Sequence, residues 1–144
     1  MTTNESLRGR VCLLTGASGG IGGALVARLA QEGLHVALAY GSHQAEAERA
    51  AGTVRAHGGR AVMIPGDLAD AGVPRRLVER ATEELGPVEV LVANAGRAQR
   101  SSYDELEVAD WDATLDVNLR APFLLAQAVL PGMRHRQFGR VLFV

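Results

Sequence analysis

A chain of 144 residues makes one domain of ordinary size, long enough to bury a hydrophobic core without disulfides or a structural metal and too short for a second domain. Hydrophobic residues make up 47% and charged residues 22%, the balance of a folded soluble protein rather than a disordered tail or a membrane protein. The formal charge of -1, from 15 basic and 16 acidic side chains, gives no reason to expect nucleic acid or an anionic membrane as partner.

The opening residues, Met1 to Arg10, are polar and carry no apolar signal region. No later stretch approaches the roughly 20 apolar residues of a membrane span, so a cytoplasmic location is expected. Val11, Cys12, Leu13 and Leu14 predict a first buried strand, and the single cysteine within it predicts a free thiol in a reducing compartment. After a glycine-rich turn, Ile21, Leu25 and Leu29 recur every four residues beside Val26, which predicts a helix ending near Gly33. Val36 to Ala39 predict a second strand. The alanine-rich segment from His43 to His57 predicts a surface helix that closes at Gly58-Gly59.

Ala61 to Ile64 predict a third strand. Asp70 is the expected cap of a helix whose stripe is Val73, Leu77, Ala81 and Leu85, stopped by Gly86-Pro87. Val88 to Val92 predict a fourth strand. From about Asp110 the apolar positions Trp111, Leu115, Leu119, Phe123 and Val129 predict one long helix ending before Pro131-Gly132, and Val141 to Val144 open a fifth strand. Such alternation of apolar runs with helical segments is the pattern of a parallel α/β sheet covered on both faces. A buried strand needs neighbours on both sides, so a last strand stopping at Val144 is expected to belong to a fold severed there.

Between the first strand and helix stands Thr15-Gly16-Ala17-Ser18-Gly19-Gly20-Ile21-Gly22. Unpaired N–H groups and the positive end of a helix dipole make such a turn an anion site, and glycines let a pyrophosphate approach the backbone. The commoner G-x-G-x-x-G spacing is absent. A nucleoside-triphosphate loop is excluded because all fifteen basic residues are arginine and that chemistry uses a lysine. In NAD sites a carboxylate about 20 residues past the loop binds the ribose 2'-hydroxyl. Here Ala39-Tyr40-Gly41-Ser42-His43 offers none, Ser42 is able to donate to a 2'-phosphate, and NADP is favoured over NAD. Arg49 and Arg55 are expected as solvated helix residues. A methyltransferase, which also wants an acid at that strand end, is the disfavoured rival.

With Asp67-Leu68 after the third strand and Asn94-Ala95-Gly96 after the fourth, the chain resembles the short-chain dehydrogenase/reductase family over essentially its whole length. Thr15 to Gly22 is similar to that family's T-G-x-x-x-G-x-G loop. Ala93 to Gly96 is similar to its N-N-A-G motif, with Ala93 in place of the first asparagine. The resemblance implies a Rossmann-type doubly wound sheet of strand order 3-2-1-4-5. It also implies a cofactor site of Gly16, Ser18, Gly20, Ile21, Gly22, Ser42, Asp67, Leu68, Asn94, Ala95 and Gly96, with Asp67 on the adenine amine and Leu68 beside the ring. Val117-Asn118-Leu119 matches the family's catalytic asparagine. Independently, Pro122 has no N–H for the Asn118 carbonyl, which is freed to bind a water of the family's proton relay.

The family's remaining machinery is a serine after the fifth strand and a Y-x-x-x-K pair. Tyr40 and Tyr103 are followed four residues on by Gln44 and Glu107, and an unassisted phenol has a pKa of about 10. The 144 residues alone are therefore expected to be inactive. The likeness implies hydride transfer between a nicotinamide and a small carbonyl compound or alcohol. In texture it is nearest to bacterial 3-oxoacyl-(acyl-carrier-protein) reductases, with Arg134, Arg136 and Arg140 as candidate contacts to an acidic carrier or simply a solvated helix end. A homo-oligomer is implied for the complete protein, and a non-catalytic dinucleotide-binding module is the alternative.

Overall fold

A computed structural model describes residues 6–144. Strands β1 (Val11–Thr15), β2 (His35–Tyr40), β3 (Ala61–Pro65), β4 (Val88–Ala93) and β5 (Arg140–Phe143) form one parallel sheet in the order β3-β2-β1-β4-β5. The central strands β1, β2 and β4 are apolar runs because both faces are covered, and alternate residues go to opposite sides, whereas edge strand β5 leaves Leu142 and Phe143 exposed. Val11 and Leu13 join the core under α3 (Val73–Leu85) and α5 (Ala121–His135), whereas Cys12 and Leu14 join the core under α1 (Gly20–Gln31) and α2 (Gln44–Ala56).

Cys12 is fully buried, and burial pushes its thiol pKa up. A thiolate is the reactive form. Ellman's reagent is therefore expected to leave Cys12 unmodified in the folded chain and to titrate it fully in denaturant, and rapid labelling of the native chain would contradict this burial.

Three expectations differ from the structure. In α1 the buried positions are Gly22, Val26 and Ala30, while Ile21, expected in the stripe, is 63% exposed. Asp70 does not cap α3, which begins at Val73 after Gly72. Instead Asp70 Oδ1 accepts the Gly72 N–H at 2.7 Å, and its carbonyl accepts that of Val73 at 3.1 Å, so it shapes the turn before the helix. The Gly72 N–H, and then Arg76, hold the Asp70 carboxyl below its ordinary value.

The third difference is the long helix. It is built of α4 (Val108–Leu115), a π turn over Asp116–Arg120, and α5, which runs through Pro131 to His135. Ala121, Leu125, Val129 and Met133 recur every four residues and are all buried, so burying Met133 outweighs the break that Pro131 invites. The stripe read from sequence lies mostly on the other face, with Trp111, Leu119 and Phe123 at 56%, 65% and 58% exposure. Among the described residues no helix is long and apolar enough to cross a membrane.

Candidate nucleotide-binding site

The carboxyl ends of β1 to β4 all lie on one edge of the sheet, and the loops leaving them carry the motifs. Gly16 opens the first loop at φ +71°, a left-handed conformation that favours glycine. A Cβ there would stand 2.7 Å from Ala95 Cα, and one on Gly22 would stand 2.1 Å from the Gly16 carbonyl oxygen. These two glycines are demanded by close packing of the loop on β4 and on its own helix. Gly20 differs, because a Cβ there meets nothing within 4 Å.

The first bond inside α1 runs from the Gly23 N–H to the Gly19 carbonyl at 2.8 Å, and no side chain caps the helix. The N–H groups of Gly20, Ile21 and Gly22 therefore have no acceptor one turn back, and they stand at the positive end of the helix dipole. Open space at Gly20, uncapped donors and an exposed Ile21 fit a bound pyrophosphate, which needs donors and no side chain in its way.

The loop is locked to its neighbour by Thr15, which is 1% exposed. Thr15 Oγ1 accepts the backbone N–H groups of both Asn94 and Ala95 at 3.1 Å, and Asn94 Nδ2 donates back to the Thr15 and Gly16 carbonyls at 3.3 and 3.0 Å. The Nδ2 group of Asn94, a residue expected in the cofactor site, thus joins the β1 and β4 loops. The sequence marks Thr15 only as the first residue of the glycine motif, and its pairing across 79 residues shows that it also ties the two loops together.

At the exit of β2, Gly41 and Ser42 are exposed, and the Ser42 hydroxyl lies 3.3 Å from His43 Nδ1. No carboxylate occurs from Ala39 to His43. A cavity of about 230 Å³ beside the glycine loop is lined by Ser18, Gly19, Glu46, Arg49 and Thr53 among others. Arg49 is a solvated helix residue as expected, 71% exposed and paired with Glu46 at 3.2 Å, and it also lines that cavity. Past β3, Asp67 is exposed, its Oδ1 accepting the Ala69 N–H at 2.9 Å, and Leu68 is half-buried against the core.

Asn118 lies in the π turn and faces the β4 loop. Its Oδ1 accepts the Arg97 N–H at 2.7 Å and its Nδ2 donates to the Arg97 carbonyl at 2.8 Å, so the side chain grips the backbone just past Gly96. An Arg97–Asp110 ion pair at 3.2 Å supports the same loop. Beside Asn118 opens a cavity of about 470 Å³ lined by Gly96, Leu119, Pro122, Phe123 and Phe143 among others. Arg136 donates to the Val88 carbonyl and Arg140 lies 4.8 Å from the Phe138 ring centroid. Both arginines are thus engaged near the amino ends of the strands, across the sheet from this cavity. Among the described residues no group of three or more His, Cys, Asp or Glu is placed to hold a metal ion.

Strand order, the glycine turn opening α1 and the loops gathered at one sheet edge define a Rossmann-type domain. The model of the short chain dehydrogenase family matches residues 10–144, and the chain belongs to that family. It is 40% identical to a short chain dehydrogenase from Burkholderia cenocepacia solved in complex with NADP, with a TM-score of 0.84 over 89% of this chain and 52% of that one. A blue fluorescent protein from a metagenomic library, solved with NADPH, is also 40% identical, with a TM-score of 0.81 over 86% of this chain and 51% of that one. The 3-oxoacyl-[acyl-carrier-protein] reductase of Synechocystis sp. is 31% identical over 95% of this chain and 56% of its own length. The chain thus spans about half the length of each.

Proposed function

We propose that this domain binds NADP(H) across the carboxyl ends of its strands, and that the complete protein transfers a hydride between the nicotinamide and a carbonyl compound or secondary alcohol. The uncapped N-terminus of α1, with open space over Gly20, carries the proposal. The nicotinamide, when bound, supplies the redox chemistry, and the protein supplies position and the proton. Backbone N–H groups of Gly20, Ile21 and Gly22 would take the pyrophosphate. Ser18 and Ser42, with Arg49 at the cavity rim, would face the 2'-phosphate. Asp67 and Leu68 would take the adenine, and Ala95 and Gly96 would flank the nicotinamide.

Asn118 spends both ends of its side-chain amide on Arg97, so its backbone carbonyl, and not its side chain, is the group that would hold a relay water. The narrower substrate reading is a 3-oxoacyl thioester, supported by likeness to the Synechocystis enzyme. An acyl-carrier partner draws no support from Arg134, Arg136 and Arg140, which lie across the sheet from the cavity. Exposed Trp111, Leu119 and Phe123 support a homo-oligomer of the complete protein.

For the 144-residue polypeptide the proposal is binding without turnover, because it contains no Tyr-x-x-x-Lys pair. Fluorescence titration of this polypeptide is expected to show NADPH binding at least about tenfold tighter than NADH, the worth of roughly one charge-assisted hydrogen bond. No NADPH consumption is expected with a 3-oxoacyl thioester. S-adenosylmethionine binding more tightly than NADPH would remove the cofactor assignment, and turnover by the polypeptide would remove the inactivity.

A further inference from the structure

We infer that Arg120 is a positioning residue that braces the adenine-facing turn of residues 67–70 against the helix bearing Asn118, an inference that rests on the dinucleotide reading above. Arg120 closes the π turn, and its guanidinium is anchored twice. One nitrogen, Nη1, meets Asp116 Oδ1 at 2.6 Å, and the other, Nη2, donates to the Ala69 carbonyl at 2.6 Å across 51 residues of sequence. Ala69 is the same residue whose N–H is held by Asp67 Oδ1, while the Asp67 carbonyl accepts the Asp70 N–H at 3.1 Å. The turn is therefore closed on itself at one end and pinned to a distant helix at the other.

Two further observations fit a seat that the fold maintains at a cost. The Nε of Arg120 is enclosed with no hydrogen-bond partner among the described residues, a state that costs free energy and that relaxation of the side chain into water would relieve. The positive charge also reaches Asp70, whose carboxyl it helps to hold in the charged form after the Gly72 N–H and Arg76 have acted. Residues two apart on a helix project in different directions. Asn118 is thereby directed to the loop after β4 and Arg120 to the turn after β3, so one π turn fixes both. π turns of this kind recur at functional sites. The glycine loop is held separately, by Thr15 and Gly22, so the brace acts on the adenine end of the site and not on the pyrophosphate end.

The test is Arg120→Met in the 144-residue polypeptide, read by amide hydrogen exchange without nucleotide and by affinity for 2',5'-ADP, which carries the adenine half alone. Exchange at Ala69 and Asp70 is expected to rise about tenfold and affinity to fall about tenfold, the loss typical of one hydrogen bond from a charged donor. Amides of β1 and α1 should keep their protection. Should Arg120→Met fail to fold, the same two measurements on Arg120→Lys, which keeps the charge but not the two-nitrogen fork, are expected to move in the same direction. Unchanged exchange in the turn, an unchanged affinity, or an equal rise across β1 and α1 would each overturn the brace. A wild-type chain that binds no 2',5'-ADP would instead overturn the dinucleotide reading, and the adenine role of Arg120 with it.

Discussion

Gly22→Ala is expected to destabilise the domain by at least about 3 kcal/mol, enough to consume much of the roughly 5 to 15 kcal/mol that holds a domain folded. The added Cβ would stand 2.1 Å from the Gly16 carbonyl oxygen and 2.9 Å from the Ala17 backbone. Neither neighbour is a flexible side-chain end, so α1 must move off β1 and open the core that Val26 and Ala30 share with Cys12 and Leu14. Gly20→Ala is the matched control. It stands two residues earlier with open space around its Cα, and alanine in a helix is favoured over glycine by about 1 kcal/mol. Its stability is expected to be equal or higher, while NADPH affinity falls about tenfold because a methyl group enters the space before the helix N-terminus. Urea denaturation with nucleotide titration separates the two. Equal stability of both variants would mean that the loop does not pack on its helix as described.

The second large effect is expected from Thr15→Val, which keeps the shape of a fully buried side chain and removes only the hydroxyl oxygen. Two backbone donors, the N–H groups of Asn94 and Ala95, then lose their acceptor inside the protein. At about 1 to 3 kcal/mol for each unsatisfied buried group, a loss of about 2 to 6 kcal/mol in the urea-derived stability follows. Thr15→Ser should restore most of it, which a purely steric role for threonine would not allow. Asn94→Ala removes the reciprocal bonds to the Thr15 and Gly16 carbonyls. Because the two residues share one network, the double variant is expected to lose less than the sum of the singles. Full additivity would show that the loops are not coupled through this pair.

Much of the site was legible because its chemistry sits in local patterns. The glycine spacing from Gly16 to Gly22, the missing carboxylate between Ala39 and His43, and the absence of lysine need no partner to be understood. Periodicity was legible where one element packs on one layer, as in α3 with Val73, Leu77, Ala81 and Leu85. It misled in the long helix, since the exposed Trp111, Leu119 and Phe123 repeat as regularly as the buried Ala121, Leu125 and Val129. A hydrophobic period marks a face and does not say which face the sheet receives.

By itself the sequence determined the parallel sheet and a glycine-rich turn at the head of the first helix, because these follow from short-range spacing, and its strand order through likeness to a family. Only the tertiary structure decided that Thr15 and Asn94 tie two loops together, that Asn118 holds Arg97, that Arg49 shares a cavity wall with the glycine loop and that Arg120 reaches Ala69. Those contacts join residues far apart in the chain through a few hydrogen bonds or a shared cavity wall. Such a contact leaves no period or spacing in the sequence, and it exists only once the sheet has brought its carboxyl ends to one edge.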